Sequence, residues 1–294
     1  MMLPRNLLVP LDGSDLAEAA LPIARLVAET SAAEVTLVRV VPPGSEPGSS
    51  RWPAEYLHEC AAQQHAAGVT AHTTMRLGEP AEEILALARE IPADLIVMAT
   101  HGRSGLDRVL LGSVAEQVIR RSRIPVILLR PNQHPVVGLR RLLVPVDGSS
   151  GGAVALATAV PLARASHAKL VLVRATVPLP LWLYEPTLRV DTGPLIDPMW
   201  DEDARKAAEI YAGALADRLA RTGLVAEGRG VSGQPGAVIV SVADEIDADL
   251  IVMSTHGRGL PLRAILGSVA DEVVRRSRRP VLLIHRPSPD GHAP

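Results

Sequence analysis

The chain has 294 residues, with 30 basic and 32 acidic side chains and a net charge of −2. This length predicts two domains of ordinary size, and the nearly balanced charge argues against a general nucleic-acid-binding protein. Cys60 is the only cysteine, which excludes an intrachain disulfide framework and a cysteine-rich metal site. No apolar run reaches about 18 residues and the N-terminal stretch lacks the features of a signal peptide, so we expect a cytoplasmic protein without a membrane span.

The first half of the chain alternates apolar runs with amphipathic stretches. Apolar runs typical of buried strands occupy residues 6–11, 34–41, 69–77, 94–99 and 125–130. Stretches with helical spacing lie between them, at residues 16–32, 52–67, 80–90 and 112–121. Because strands and helices alternate, we expect an α/β fold with a doubly wound, parallel, five-stranded sheet.

The second half repeats this order. LLVPLDGS at 7–14 returns as LLVPVDGS at 142–149, and THGRSGLDRVLLGS at 100–113 returns as THGRGLPLRAILGS at 255–268. The strand patterns fall at residues 141–146, 169–175, 225–231, 249–253 and 280–285, and the helix patterns at 152–166, 201–222, 235–246 and from 267 onward. The sequence therefore predicts two copies of one Rossmann-like domain, residues 1–132 and 139–288, joined by a linker at 131–139.

The two copies differ in length. Asp12 and Asp147 are 135 residues apart, whereas Gly102 and Gly257 are 155 apart, so the second copy carries 20 extra residues. Most of them fit in the proline-rich stretch 176–200, which follows the second strand of that copy. A surface loop with its own apolar packing and a lid or partner-docking surface are both compatible with this stretch.

Glycines with a shared spacing follow the fourth strand of each copy. Gly102 precedes Gly112 and Ser113 by a nine-residue gap, and Gly257, Gly267 and Ser268 keep the same gap although the residues between them differ. A glycine loop that leads into a helix N-terminus presents free backbone N–H groups to an anion, and Ser113 adds a hydroxyl that can also cap the helix. The alternative is that these glycines serve only turns and packing.

Other polar residues stand at the same predicted edge of the sheet. Asp12 and Asp147 follow the first strand of each copy, where a carboxylate accepts hydrogen bonds from a ribose or simply completes a turn. His101 and His256 have no serine–aspartate partner nearby in sequence, which favours local hydrogen bonding over catalysis. Arg103 and Arg258 are candidates for phosphate contact or for solvated loop residues.

These motifs resemble those of the universal stress protein family, in a tandem arrangement that covers nearly the whole chain. The resemblance rests on V-P-x-D-G-S after the first strand and on G-x2-G-x9-G-[ST] after the fourth, whose first glycine is replaced here by Ala99 and Ser254. It implies binding of an adenine nucleotide, ATP alone or with Mg²⁺. The implied binding residues of the two copies are Pro10, Asp12, Val40, Met98, Gly102, Gly112, Ser113, Val114, Pro145, Asp147, Ala175, Met253, Gly257, Gly267, Ser268 and Val269.

The leading hypothesis is thus a nucleotide-binding stress-response or regulatory protein that is not an enzyme. The alternatives are a slow ATPase or nucleotide-transfer enzyme, and a docking module that binds no nucleotide. No G-x4-GK-[ST] loop is present, which argues against P-loop hydrolysis. The resemblance also implies that the last strands of the two domains, residues 126–129 and 281–284, pair within one molecule, and that the chain forms a homodimer.

Overall fold

The computed structural model describes residues 2–44, 53–100, 111–130, 133, 136–178, 198–255 and 266–285. In the first repeat the elements run β1 Asn6–Pro10, α1 Asp15–Glu18, α2 Ala20–Ser31, β2 Glu34–Val41, α3 Pro53–Ala66, β3 Ala71–Leu77, α4 Pro80–Glu90, β4 Leu95–Ala99, α5 Ser113–Arg121 and β5 Val126–Leu129. In the second repeat they run β6 Arg141–Pro145, α6 Ser150–Ser166, β7 Lys169–Thr176, α7 Pro198–Ala220, β8 Ala226–Ser232, α8 Pro235–Glu245, β9 Leu250–Ser254, α9 Ser268–Arg276 and β10 Val281–Ile284.

The strands form one ten-stranded sheet in the order β3-β2-β1-β4-β5-β10-β9-β6-β7-β8. Within each repeat every pairing is parallel, as the alternation of strands and helices predicts. The two repeats meet where β5 and β10 run antiparallel, with Leu282 opposite Ile127. This antiparallel joint points the carboxyl ends of the strands of the two repeats toward opposite edges of the sheet.

The inner strands of the sheet are buried on both faces, which explains their almost unbroken apolar sequences, whereas the edge strands β3 and β8 are only partly buried. Leu7 and Val9 belong to the core beneath α2, α3, α6 and α7, whereas Leu8 lies between them on the other face, in the core beneath α4, α5, α8 and α9. Parallel sheets covered on both sides select branched aliphatic residues, so the chain builds both cores without a phenylalanine.

The predicted doubly wound α/β fold is therefore confirmed, with two differences in its helices. The single helix expected at 16–32 is two helices, α1 and α2, which meet at Ala19. Helix α7 spans 23 residues against 14 for its counterpart α3 and begins before the predicted start at 201. The insertion at 176–200 lies largely outside the described residues. Among the helices that the structure describes, none combines the length and apolarity that a membrane crossing requires.

Candidate functional site

The predicted binding residues that the structure describes lie at one point of the sheet in each repeat. Strand β1 lies between β2 and β4, and β6 lies between β7 and β9, so the chain departs to opposite sides of the first strand of each repeat. In open α/β sheets such a switch point opens a crevice at the carboxyl ends of the strands. Asp12 follows β1 directly beside the end of β4, and Asp147 follows β6 beside the end of β9.

Each aspartate closes a tight turn. Asp12 Oδ1 accepts hydrogen bonds from the Ser14 amide at 3.0 Å and the Ser14 hydroxyl at 2.5 Å, and Asp147 Oδ1 accepts the Ser149 amide at 2.9 Å. The intervening Gly13 has φ +83°, which a residue with a side chain adopts only under strain. The turn interpretation of these aspartates is confirmed, and a ribose contact by the same carboxylates stays a prediction.

The serines of the same turns begin the following helices. Ser14 Oγ accepts the Ala17 amide at 3.2 Å, and Ser149 Oγ accepts the Gly152 amide at 3.1 Å. These bonds are N-caps, which fix the start of α1 and of α6 relative to the strand before it. The D-G-S motif is thus a strand-to-helix connection whose carboxylate is held at the edge of the sheet.

Two buried threonines, which the sequence analysis did not single out, connect the end of β4 to the start of α5 and the end of β9 to the start of α9. The Thr100 carbonyl accepts the Gly112 amide at 2.8 Å, and the Thr255 carbonyl accepts the Gly267 amide at the same distance. Thr100 and Thr255 are 2% and 0% exposed, so the start of α5 and of α9 is fixed against the end of the preceding strand. Their repetition in the two copies was the signal that sequence reasoning passed over.

Helices α5 and α9 begin without a side-chain cap. The N-cap residues are Gly112, with φ −63° and ψ 146°, and Gly267, with φ −64° and ψ 151°, and neither offers a side-chain acceptor. The expectation that Ser113 caps its own helix is wrong, because Ser113 and Ser268 are the first helical residues and their side chains are exposed. The first-turn amides are therefore available to an anion, and each serine hydroxyl lies beside them.

An apolar wall adjoins each uncapped helix start. Met98 is buried in the core beneath α4 and α5, and Val40 and Val114 are partly buried and pack against that core. Met253, Ala175 and Val269 occupy the corresponding places in the second repeat. An apolar surface of this composition suits packing against a planar aromatic ring.

Ala99 and Ser254, which replace the first glycine of the loop signature, lie in extended backbone. Ala99 is the last residue of β4, paired with Leu129, and Ser254 is the last residue of β9, paired with Ile284. Both backbones are ones that any residue adopts, so the substitutions introduce no strain. Pro10 and Pro145 end the first strands, and the ladder resumes at the next residue, where the Leu11 amide donates to the Val38 carbonyl at 2.8 Å.

Six of the residues considered in the sequence lie outside the described residues: Gly102, Gly257, His101, His256, Arg103 and Arg258. Their expected roles stay predictions. Within the described ranges, no three histidine, cysteine, aspartate or glutamate side chains converge in a way that could hold a metal ion.

Comparison with known proteins agrees with this architecture. The model of the universal stress protein family matches residues 4–130 and again residues 138–285. The chain is 30% identical to universal stress protein Rv2623 of Mycobacterium tuberculosis over 305 residues, which cover 95% of each chain. A crystal structure of a universal stress protein from Archaeoglobus fulgidus superposes with a TM-score of 0.70 at 23% identity, covering 96% of this chain and 98% of that one.

A further solved structure is a universal stress protein in complex with cAMP. It is 30% identical, covers 44% of this chain and 98% of its own, and has a TM-score of 0.37.

Two matched domains of one family, each with the fold and the strand-end site described above, define the class. The chain belongs to the universal stress protein family, as a member with two such domains in tandem.

Proposed function

We propose that the chain is a regulatory protein that binds an adenine nucleotide, ATP alone or with Mg²⁺, at the strand-end crevice of each repeat. The observation that carries the proposal is the uncapped start of α5 and α9 at the switch point, beside a hydrogen-bonded aspartate turn. Free amides at a helix N-terminus favour an anion, and a carboxylate at the adjacent strand end suits a sugar hydroxyl.

Different residues of each site would contact different parts of the nucleotide. The amides of Ser113 and Val114 with the Ser113 hydroxyl would hold phosphate oxygens, and Asp12 would accept from the ribose. The adenine ring would pack on the wall of Val40 and Met98. The second repeat offers the same set through Ser268, Val269, Asp147, Ala175 and Met253. When Mg²⁺ is bound it neutralises phosphate charge, which requires few direct protein ligands.

A regulatory rather than enzymatic role is part of the proposal. The described carboxylate at each site, Asp12 or Asp147, already accepts hydrogen bonds within its own turn. A carboxylate engaged in this way supports positioning better than proton abstraction from water. We further propose a cytoplasmic location and a homodimer of tandem chains.

Replacement of Gly112 by aspartate tests the nucleotide site directly. The φ and ψ of Gly112 suit any residue, and aspartate is a favoured N-cap, so Gly112→Asp should keep or raise the melting temperature. Its charge would lie where the phosphates are expected, so ATP affinity of the first site should fall at least tenfold by isothermal titration. Gly112→Asn is the matched control, because it caps the same amides without charge and should lose much less affinity.

Three results would separate the competing functions. ATP released from the purified protein by denaturation, or tight binding of added ATP that cAMP does not displace, supports the proposal. Phosphate release well above the rate without protein, abolished by Gly112→Asp together with Gly267→Asp, would instead indicate an ATPase. No binding of either nucleotide at millimolar concentration would leave a docking module and overturn the proposal.

A further inference from the structure

An arginine stacked on a tyrosine recurs on the other side of the same strand ends. The Arg39 guanidinium carbon lies 5.7 Å from the centre of the Tyr56 ring, and that of Arg174 lies 4.3 Å from the Tyr211 ring. Arg39 and Arg174 are 135 residues apart, as are the two site aspartates, and the tyrosines are 155 apart, as are Gly112 and Gly267. The chain has only three tyrosines, so two of the three serve this pair.

The pairs face away from the apolar wall of the nucleotide site. Successive side chains of a strand point to opposite faces, so Arg39 and Val40 lie on opposite faces of β2. Tyr56 is buried in the core beneath α2 and α3, and Tyr211 packs against the same face in the second repeat. Each arginine therefore stands across the strand ends from the wall that Val40 and Ala175 help to form.

No carboxylate within the described residues forms an ion pair with either guanidinium. Several other arginines with described side chains pair with a carboxylate, such as Arg205 with Glu202 and Glu209 at 2.8 Å. Within the described ranges, Arg39 and Arg174 have no carboxylate oxygen within 4.0 Å and donate no hydrogen bond. A half-buried guanidinium whose five N–H donors make no hydrogen bond to the described protein is suited to bind phosphate in a bidentate manner.

The position of Arg39 brings this cation to the aspartate turn. A Cβ added to Gly13 would lie 2.7 Å from Arg39 Nη1, so the guanidinium rests against the backbone between Asp12 and Ser14. Burial, helped by Cys60 and Glu18, raises the pKa of Tyr56 above its ordinary value, so the ring is a neutral phenol under the cation. The contact is thus a cation–π interaction that holds the guanidinium in place without using its hydrogen-bonding capacity.

We propose that Arg39 and Arg174 form a second anion position in each repeat, on the α3 and α7 side of the strand ends, and that it binds a phosphate group. The position does not depend on the proposed nucleotide site, because the guanidinium and the helix amides lie on different sides of the turn. The two repeats differ in one neighbour. Glu18 lies near the Tyr56 hydroxyl, whereas Ala153 stands at its place in the second repeat, so phosphate should bind more tightly at Arg174 than at Arg39.

Fluorine NMR of the full chain carrying 3-fluorotyrosine tests this proposal. Tyr56→Phe and Tyr211→Phe identify the signals of these two residues among the three tyrosine signals, and inorganic phosphate is then titrated at constant ionic strength. We expect both signals to shift with saturation, Tyr211 at lower phosphate than Tyr56. Arg174→Gln should remove the Tyr211 shift alone, Arg39→Gln the Tyr56 shift alone, and Glu18→Gln should tighten binding at Tyr56. Arg76→Gln, which removes the partner of Glu90, is the control and should change neither.

A second titration in saturating ATP distinguishes the source of the phosphate. If inorganic phosphate still shifts both signals, the position takes a free phosphate group. If ATP itself produces the shifts and Arg39→Gln weakens ATP binding at the first site tenfold, the position takes a phosphate of the nucleotide. Both results support the anion position. Phosphate shifts that persist in the Arg→Gln variants, or no shift in the unsubstituted chain, would overturn it, even where these variants lower the melting temperature.

Discussion

Gly13 shows how one residue couples the aspartate turn to the arginine beside it. Its φ of +83° equals that of Gly68, where an added Cβ meets nothing within 4 Å. Gly68→Ala should therefore show the cost of the positive φ alone, about 1 kcal/mol in the free energy of unfolding. Gly13→Ala should cost about 0.5–1 kcal/mol more, because its methyl group displaces Arg39 from the Tyr56 ring. Urea unfolding of the two variants measures the difference.

The arginine supplies the control for this comparison. In a chain that carries Arg39→Gln, the extra loss at Gly13 should disappear, while the loss from Gly68→Ala should be unchanged. Equal losses from Gly13→Ala with and without Arg39 would contradict the contact. The comparison uses unfolding alone, so it holds whether or not a ligand binds.

At the scale of elements, helix α7 lies so close to strand β8 that the facing residues of β8 have no room for a side chain. A Cβ on Gly228 would lie 2.2 Å from the Ala212 carbonyl carbon, and one on Gly230 would lie 2.3 Å from the Glu209 amide nitrogen. These are backbone atoms of α7, which cannot move aside without moving the helix. Gly228→Ala should therefore destabilise the chain by about 3 kcal/mol or more, measured by urea unfolding.

Gly213 on α7 is the matched control, and its replacement by alanine should change the stability in the opposite direction. An added Cβ there meets nothing within 4 Å, and alanine is the better helix former. Gly213→Ala should stabilise the chain by about 0.5–1 kcal/mol. If Gly228→Ala proved as harmless as Gly213→Ala, α7 would not lie on β8 as the structure shows.

Much of the fold was predictable because its signals are local. Apolar runs located the strands, and the repeated D-G-S and G-S segments located the ends of β1, β4, β6 and β9. The close approach of α7 depends on how this helix folds back onto β8, the strand that follows it, and the spacing of residues within either element does not indicate that packing. The Arg39–Tyr56 pair was missed for the same reason. The predicted capping role of Ser113 was wrong because the N-cap residue of α5 is Gly112.

For the whole molecule, the antiparallel joint between β5 and β10 sets where the two candidate sites lie. Because the strands of one repeat run opposite to those of the other, the two crevices open at opposite edges of the sheet. No small ligand can bridge them. Coupling between the sites has two described routes, the packing of α2 on α6 and the strand joint, where Ile127 is 0% and Leu282 is 4% exposed.

The joint also predicts how the repeats behave when the linker is cut. Val137 is 79% exposed, so a protease site inserted there should be cleaved without disturbing the core. The two halves should remain together on size-exclusion chromatography, because β5 and β10 cover each other and α2 packs on α6. Ile127→Asp in the same cleavable chain should release them, since it buries a charge at the joint. Separation of the halves without that substitution would show that the linker, and not the shared sheet, holds the repeats together.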